Sequence, residues 1–222
     1  MPNIAMTIDF YYMKGSPPCA VVSLIFAEVG IESQVNSHYV NIEANEHLKE
    51  EYLKINPQHT APTIVDDGLV LAESRAIAKY LVAKYGNNKY YPQDINTRAL
   101  IDQRLDFDIG TLYARLGDVY YSLILGSPMN ENQLNKLDDA FNILNNTLEG
   151  NKYAVGSEPT LADISLAVTV LVFEAFKVNI KRYNNITRWL TLVRSSVPKF
   201  DEIVLNYVND CAQIVSKRGK ST

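Results

Sequence analysis

Cysteine is scarce in this chain: only Cys19 and Cys211 occur, near opposite ends of 222 residues. Two thiols so placed offer no disulfide framework of the secreted kind and fit a reducing compartment. Long apolar runs are also missing. The longest, from Ile164 to Phe173, is bracketed by Asp163 and Glu174 and reaches about half of the ~20 residues needed to cross a bilayer. The opening residues Met1-Pro2-Asn3-Ile4-Ala5-Met6 have neither the basic region nor the apolar stretch of a secretory signal. A cytoplasmic protein with no membrane partner is therefore expected. Positive charge is not concentrated anywhere: the formal net charge is -4, so a nucleic-acid partner is not expected. The one basic cluster, Lys217, Arg218 and Lys220, lies among serine and glycine and reads as a frayed tail. Hydrolase elbows, phosphate loops, His-x-x-x-His pairs and cysteine clusters are absent as well, so neither those chemistries nor a metal is called for.

What is present is an ordinary globular composition, 47% hydrophobic and 21% charged, enough for a core without metal or disulfide staples. Strand and helix signals alternate at first. Ile8 to Tyr12 is β-rich, and Gly15-Ser16-Pro17-Pro18 follows, with Ser16 suited to cap a helix and Pro17 to open it. That helix runs to Gly30. A second strand is expected over Ser37 to Ile42, and a short helix capped by Asn45 over Glu46 to Leu53. Thr63-Ile64-Val65 and Leu69-Val70-Leu71 flank Asp66-Asp67-Gly68 as a hairpin, and Glu73-Ser74-Arg75 opens a helix reaching Lys84. The order is βαβαββα over residues 1–85, followed by a polar linker at 86–94 and an all-α region at 95–222. Helices are expected there at 95–126, 130–149, 160–177, 184–196 and 199–214, with Thr160 and Asp163 forming a capping box at the head of the third.

The spacing Ser16-x-x-Cys19 after a first strand is where the sequence becomes specific. A thioredoxin-type fold carries a reactive Cys-x-x-Cys at that turn, where helix amides and dipole favour a thiolate. With serine first, dithiol exchange is lost, but a place suited to a ligand's thiolate remains; a glutaredoxin-like exchanger using Cys19 is thereby disfavoured. Pro62, opening the strand after Ala61, would leave the backbone of Ala61 available to an extended peptide if its peptide bond were cis, and a trans proline that merely starts the strand is the alternative. Glu73-Ser74 offers helix amides and a hydroxyl to an anionic group, or simply a cap.

Four fragments in order, Asp9 to Cys19, Asn56 to Thr63, Glu73 to Ile77 and Thr160 to Asp163, resemble the cytosolic glutathione transferases, and within them the insect delta/epsilon class. The resemblance implies an N-terminal thioredoxin-like domain, an all-helical C-terminal domain and a homodimer. It implies glutathione as co-substrate, a catalytic Ser16, His47 and His59 at the glycyl end, Thr60 and Ala61 along the cysteinyl backbone, and Glu73, Ser74 and Arg75 around the γ-glutamyl end. Met1 to Met6 then stands as an extension with no role. Apolar electrophiles, the partners of a detoxification activity, would sit against Met13, Pro18, Tyr113, Leu116, Tyr120, Tyr121, Phe173 and Phe176, while Leu112 and Ile124 share the helical spacing. Arg75 and Asp108 could pair between the domains, or stand as two solvated charges. A carrier of hydrophobic ligands that keeps the fold without the reaction is the alternative.

Overall fold

The computed structural model describes residues 7–219, so the readings of Met1–Met6 as an extension and of Lys220 in the basic tail lie outside the described residues. The N-terminal domain follows the expected order: β1 (Ile8–Tyr12), α1 (Pro17–Glu28), β2 (Val35–Tyr39), α2 (Glu50–Ile55), β3 (Thr63–Asp66), β4 (Leu69–Ala72) and α3 (Ser74–Tyr85). The sheet order is β2-β1-β3-β4, with β1 and β2 parallel and the other pairs antiparallel. A parallel pair needs a crossover, which α1 supplies. The β3–β4 turn places Asp67 at φ 51 and Gly68 at φ 79, the left-handed pair that a tight hairpin demands.

Two local expectations fail here for one reason. β2 begins and ends earlier than residues 37–42, and Asn45 makes no capping bond; a 3₁₀ turn at Glu46–Leu48 precedes α2 instead. The side chain of Asn41 accepts from the amides of Glu43 and Ala44, and the Glu46 carboxylate accepts from the amide of Asn41. Residues 41–46 thus close on themselves by side-chain bonds that compete with helix nucleation.

The second domain is α4 (Ile95–Phe107), α5 (Tyr113–Leu125), α6 (Glu131–Thr147), α7 (Leu161–Ala175), α8 (Asn184–Ser196) and α9 (Phe200–Arg218). The single helix expected at 95–126 is broken by a π turn at Asp108–Leu112. α7 is buried all along Leu161–Phe173, so it forms the centre of the helical layer. At its head, Asp163 accepts from the amides of Ala154 and Thr160, the Thr160 hydroxyl and the Trp189 indole at 2.7–2.9 Å. α9 runs past the expected end at 214, because Val204, Val208, Cys211 and Val215 stay buried at helical spacing. Lys217 and Arg218 are therefore the last turn of a helix and not a frayed tail. The segment 86–94 is fastened to both domains: Tyr90 is buried, its hydroxyl donates to Glu28 of α1, and its carbonyl accepts from Leu161 at 2.9 Å. Among the described residues no helix is long and apolar enough to cross a membrane.

Candidate functional site

The site is built outward from the start of α1. Ser16 is the cap, in extended conformation, and its Oγ accepts from the amide of Cys19 at 3.3 Å while its carbonyl accepts from Ala20. Pro17 and Pro18 have no N–H to give. The first turn of α1 thus presents no free amide, contrary to the thioredoxin analogy, and the polar resources at this end are the Ser16 hydroxyl and the helix dipole. Cys19 is fully buried and takes the amide of Met13 at 3.5 Å; burial pushes its thiol up to about 11. It is a neutral core group, which removes it as an exchanging thiol.

The remaining expected polar residues lie in the turn before α2, in the loop before β3 and at the head of α3. The Thr60 carbonyl is held by Tyr52 Oη at 2.5 Å, Asn56 Nδ2 at 2.9 Å and Thr63 Oγ1 at 3.2 Å, which fixes the loop before β3. In this loop His59 is exposed at φ 48, and the Ala61–Pro62 bond is cis. The rings of His47 and His59 lie 6.2 Å apart, and His47 Nδ1 is buried with no partner. Glu73 precedes α3 at φ 68, a left-handed position that a glutamate occupies at a cost, and its side chain makes no capping bond. Ser74 is buried as the first residue of α3. Arg75 Nη2 donates to Asp108 at 2.5 Å, and its guanidinium lies 5.7 Å from the centre of the Tyr113 ring. Asp108, wholly buried in the π turn, also accepts from Ser165 at 2.5 Å and Thr169 at 2.8 Å. The expected pairing between the domains is thus present, and two hydroxyls of α7 complete the shell around a carboxylate that burial would otherwise penalise.

Beside Ser16 opens a cleft of about 720 Å³. Met13 and Ser16 form its edge on one domain, while Tyr113, Leu116, Tyr120, Tyr121 and Phe176 line it from the other. Those expected pocket residues are brought together. Two are not. Phe173 is completely buried, edge-to-face on Phe141, and Pro18 lies in the narrow seam with Ser74, Arg75 and Tyr113 away from the cleft. The reason for the first is that α7 is buried on every side, so helical spacing cannot say which of its residues would reach a cleft. Leu112 is likewise core, and Ile124 packs against that core. The cleft also has walls that the sequence reading missed: Val40, Asn41 and Ile42 after β2, and Cys211 and Ile214 on α9. The apolar spacing of α9 through Val215 signals core and does not by itself mark the second wall. Gly15, at φ 66, makes room for it, since a Cβ there would come within 2.9 Å of the Cys211 backbone nitrogen.

Residues 10–89 match the family described as Glutathione S-transferase, N-terminal domain, and residues 125–196 match Glutathione S-transferase, C-terminal domain. A delta-class glutathione transferase of Nilaparvata lugens is similar at 37% identity, over 95% of this chain and 99% of that one, with a TM-score of 0.89. A Bombyx mori glutathione transferase, solved in complex with GTT, matches at 35% identity over 96% of this chain and 97% of that one, with a TM-score of 0.87. An epsilon-class glutathione S-transferase from the housefly Musca domestica matches at 31% identity over 96% and 98%, with a TM-score of 0.86. With both family domains in order and near-complete overlap with solved relatives, the chain belongs to the glutathione S-transferase family and is a glutathione transferase of delta/epsilon kinship.

Proposed function

We propose that the enzyme conjugates glutathione to apolar electrophiles in the cleft beside Ser16, with the Ser16 hydroxyl donating to the glutathione thiolate. The observation that carries this reading is the placement of Ser16: it caps α1, its oxygen accepts one amide, and it lines a largely apolar cleft. A hydroxyl so placed can stabilise a thiolate but has no base beside it, so it serves as donor rather than nucleophile. The thiol proton leaves to solvent, the thiolate forms the new carbon–sulfur bond, and the acceptor's leaving group departs with its bonding electrons; with an activated double bond, the second carbon instead takes a proton from solvent.

Recognition of the tripeptide divides by charge. The unpartnered Nδ1 of His47, with His59 beside it, suits the glycyl carboxylate. Thr60 and Ala61 offer backbone to the cysteinyl residue. The Glu73 carboxylate suits the γ-glutamyl ammonium, and Ser74 with Arg75 the carboxylate beside it. Met13, Tyr113, Leu116, Tyr120, Tyr121 and Phe176 hold the acceptor. The reading extends to a detoxification role in the cytoplasm and to a homodimer, for which exposed Leu69 and Val70 on β4 and Leu100 on α4 supply apolar surface. The test is turnover of glutathione with a neutral aryl halide by the parent protein and by Ser16→Ala. A large loss in the variant near neutrality, partly recovered in alkali, is expected; equal activity of the two proteins overturns the role of Ser16, and absence of turnover in the parent overturns the reaction.

A further inference from the structure

The molecule carries net negative charge, yet the cleft runs against that average. Among the described residues that line it, Lys14, Lys217 and Arg218 are basic and Glu43 alone is acidic. The interior between them is apolar and aromatic. An apolar cavity with cations on its rim suits a ligand with an apolar body and an anionic end.

The cations could be incidental. Basic residues in the last turn of a helix favourably offset its dipole, and that alone would explain Lys217 and Arg218. The geometry of Arg218 argues otherwise: its Nη1 leaves the end of α9 and donates to the hydroxyl of Tyr120 on α5 at 2.8 Å. This places the guanidinium beside a ring that lines the acceptor cleft. The helix end is held there by close packing as well, for a Cβ on Gly219 would come within 2.8 Å of the Leu123 carbonyl oxygen. Opposite, Lys14 Nζ lies 5.3 Å from the centre of the Tyr39 ring, another lining residue. Both charges are therefore carried on aromatic walls of the cleft. Their placement is built by residues of α5, α9 and the end of β2, and not by the expected glutathione contacts.

We infer that Lys14 and Arg218 select among acceptors, favouring apolar electrophiles that bear a carboxylate or similar anionic group over their neutral counterparts. This rests on the proposed use of the cleft as the acceptor site. The chemistry at the reacting carbon is unchanged; the charge is read at a distance from it. Because the cations face solvent, the preference is modest and falls as salt is added.

The experiment compares chlorodinitrobenzoate with chlorodinitrobenzamide, which share the chloride leaving group, each rate being divided by that of free glutathione with the same compound. In the parent, kcat/KM so corrected should favour the benzoate. Lys14→Gln and Arg218→Gln should each lower it for the benzoate by about threefold to fivefold and for the benzamide by less than about twofold, with Arg218→Lys retaining the preference. Parallel loss with both acceptors, or an unchanged ratio, overturns the inference. A second measurement separates this failure from failure of the proposed reaction: calorimetric binding of dinitrobenzoate and dinitrobenzamide, which lack the chloride, to the glutathione-saturated protein. Tighter binding of the benzoate that is lost in Lys14→Gln upholds the charge selection even without turnover, while turnover without any such difference removes it.

Discussion

The heads of α1 and α7 begin from nearly the same local chemistry and, on the proposed reading of Ser16, end in opposite uses. Each has a hydroxyl residue at the cap, Ser16 or Thr160, ahead of a buried apolar helix. At α7 the Thr160 amide and hydroxyl and the Asp163 carboxylate are all engaged. Asp163 takes four donors, all inside the protein, and the helix is anchored to Trp189 and to the loop at Ala154. At α1 the cap takes one amide, two prolines remove the next donors, and the capping residue itself lines a cleft. A capping residue stabilises the fold when its partners are internal and becomes available for chemistry when they are withheld.

The largest effect that can break this comparison is on stability. Asp163→Ala strands four buried donors, so it should lower stability by about 2–4 kcal/mol in a urea melt, with glutathione Kd unchanged within about twofold. An unshifted melt would mean that the α7 network is not what holds that helix. Next in size is His59→Ala, expected to raise the KM for glutathione about tenfold, or ~1.4 kcal/mol, with kcat changed less, because contact with the glycyl carboxylate acts in ground and transition states alike. A normal KM would leave His59 as a loop residue only. Smaller again, Tyr113→Ala and Tyr121→Ala should each change acceptor selectivity while the glutathione Kd stays within about threefold; an identical response of every acceptor to both variants would make those rings walls without discrimination. The smallest is the stability of Ser16→Ala itself. Losing a cap that holds a single amide should cost only about 0.5–1 kcal/mol, well below Asp163→Ala, and a loss as large as that of Asp163 would erase the contrast between the two helix heads.

The parts of the molecule that could be read from sequence were those fixed by short-range chemistry. Ser16 with Pro17, the Asp67-Gly68 turn and the Thr160–Asp163 box each declare their geometry within four residues. The Arg75–Asp108 pairing stood open beside a reading as two solvated charges, since no local pattern specifies it. What stayed hidden has a physical explanation in each case. The π turn at Asp108–Leu112 leaves helix on both sides of it, and Gly110 at its centre is too weak a signal to declare it. Phe173 lies on a helix buried on all sides, where periodicity carries no facing information. Asn41, not Asn45, turned out to organise the loop after β2, since which of two neighbouring asparagines folds back on the chain depends on the backbone it meets. The α9 wall stayed hidden because Cys211 belongs to the stripe Val204, Val208, Cys211 and Val215, which reads from spacing as core alone.

The central claim is that the proton on Ser16 is reserved for a thiolate, and titrating the thiolate absorbance of the glutathione complex tests it most directly. A free thiol with pKa ~8.5 is only ~3% ionised at pH 7. A drop of ~2 units on binding would raise that to roughly three-quarters, although a Brønsted slope of ~0.4–0.5 returns nearly tenfold in intrinsic reactivity and leaves positioning to supply the rest of the rate. A hydrogen bond to a charged acceptor is worth ~1.5–3 kcal/mol, so the bound thiol in Ser16→Ala should titrate about 1–2 units higher than in the parent. The sign is fixed: a lowered pKa supplies thiolate above its own value and loses it as pH falls through that value, so the variant should lose thiolate first near neutrality and regain it in alkali. Superimposable titration curves for the two proteins would contradict the account.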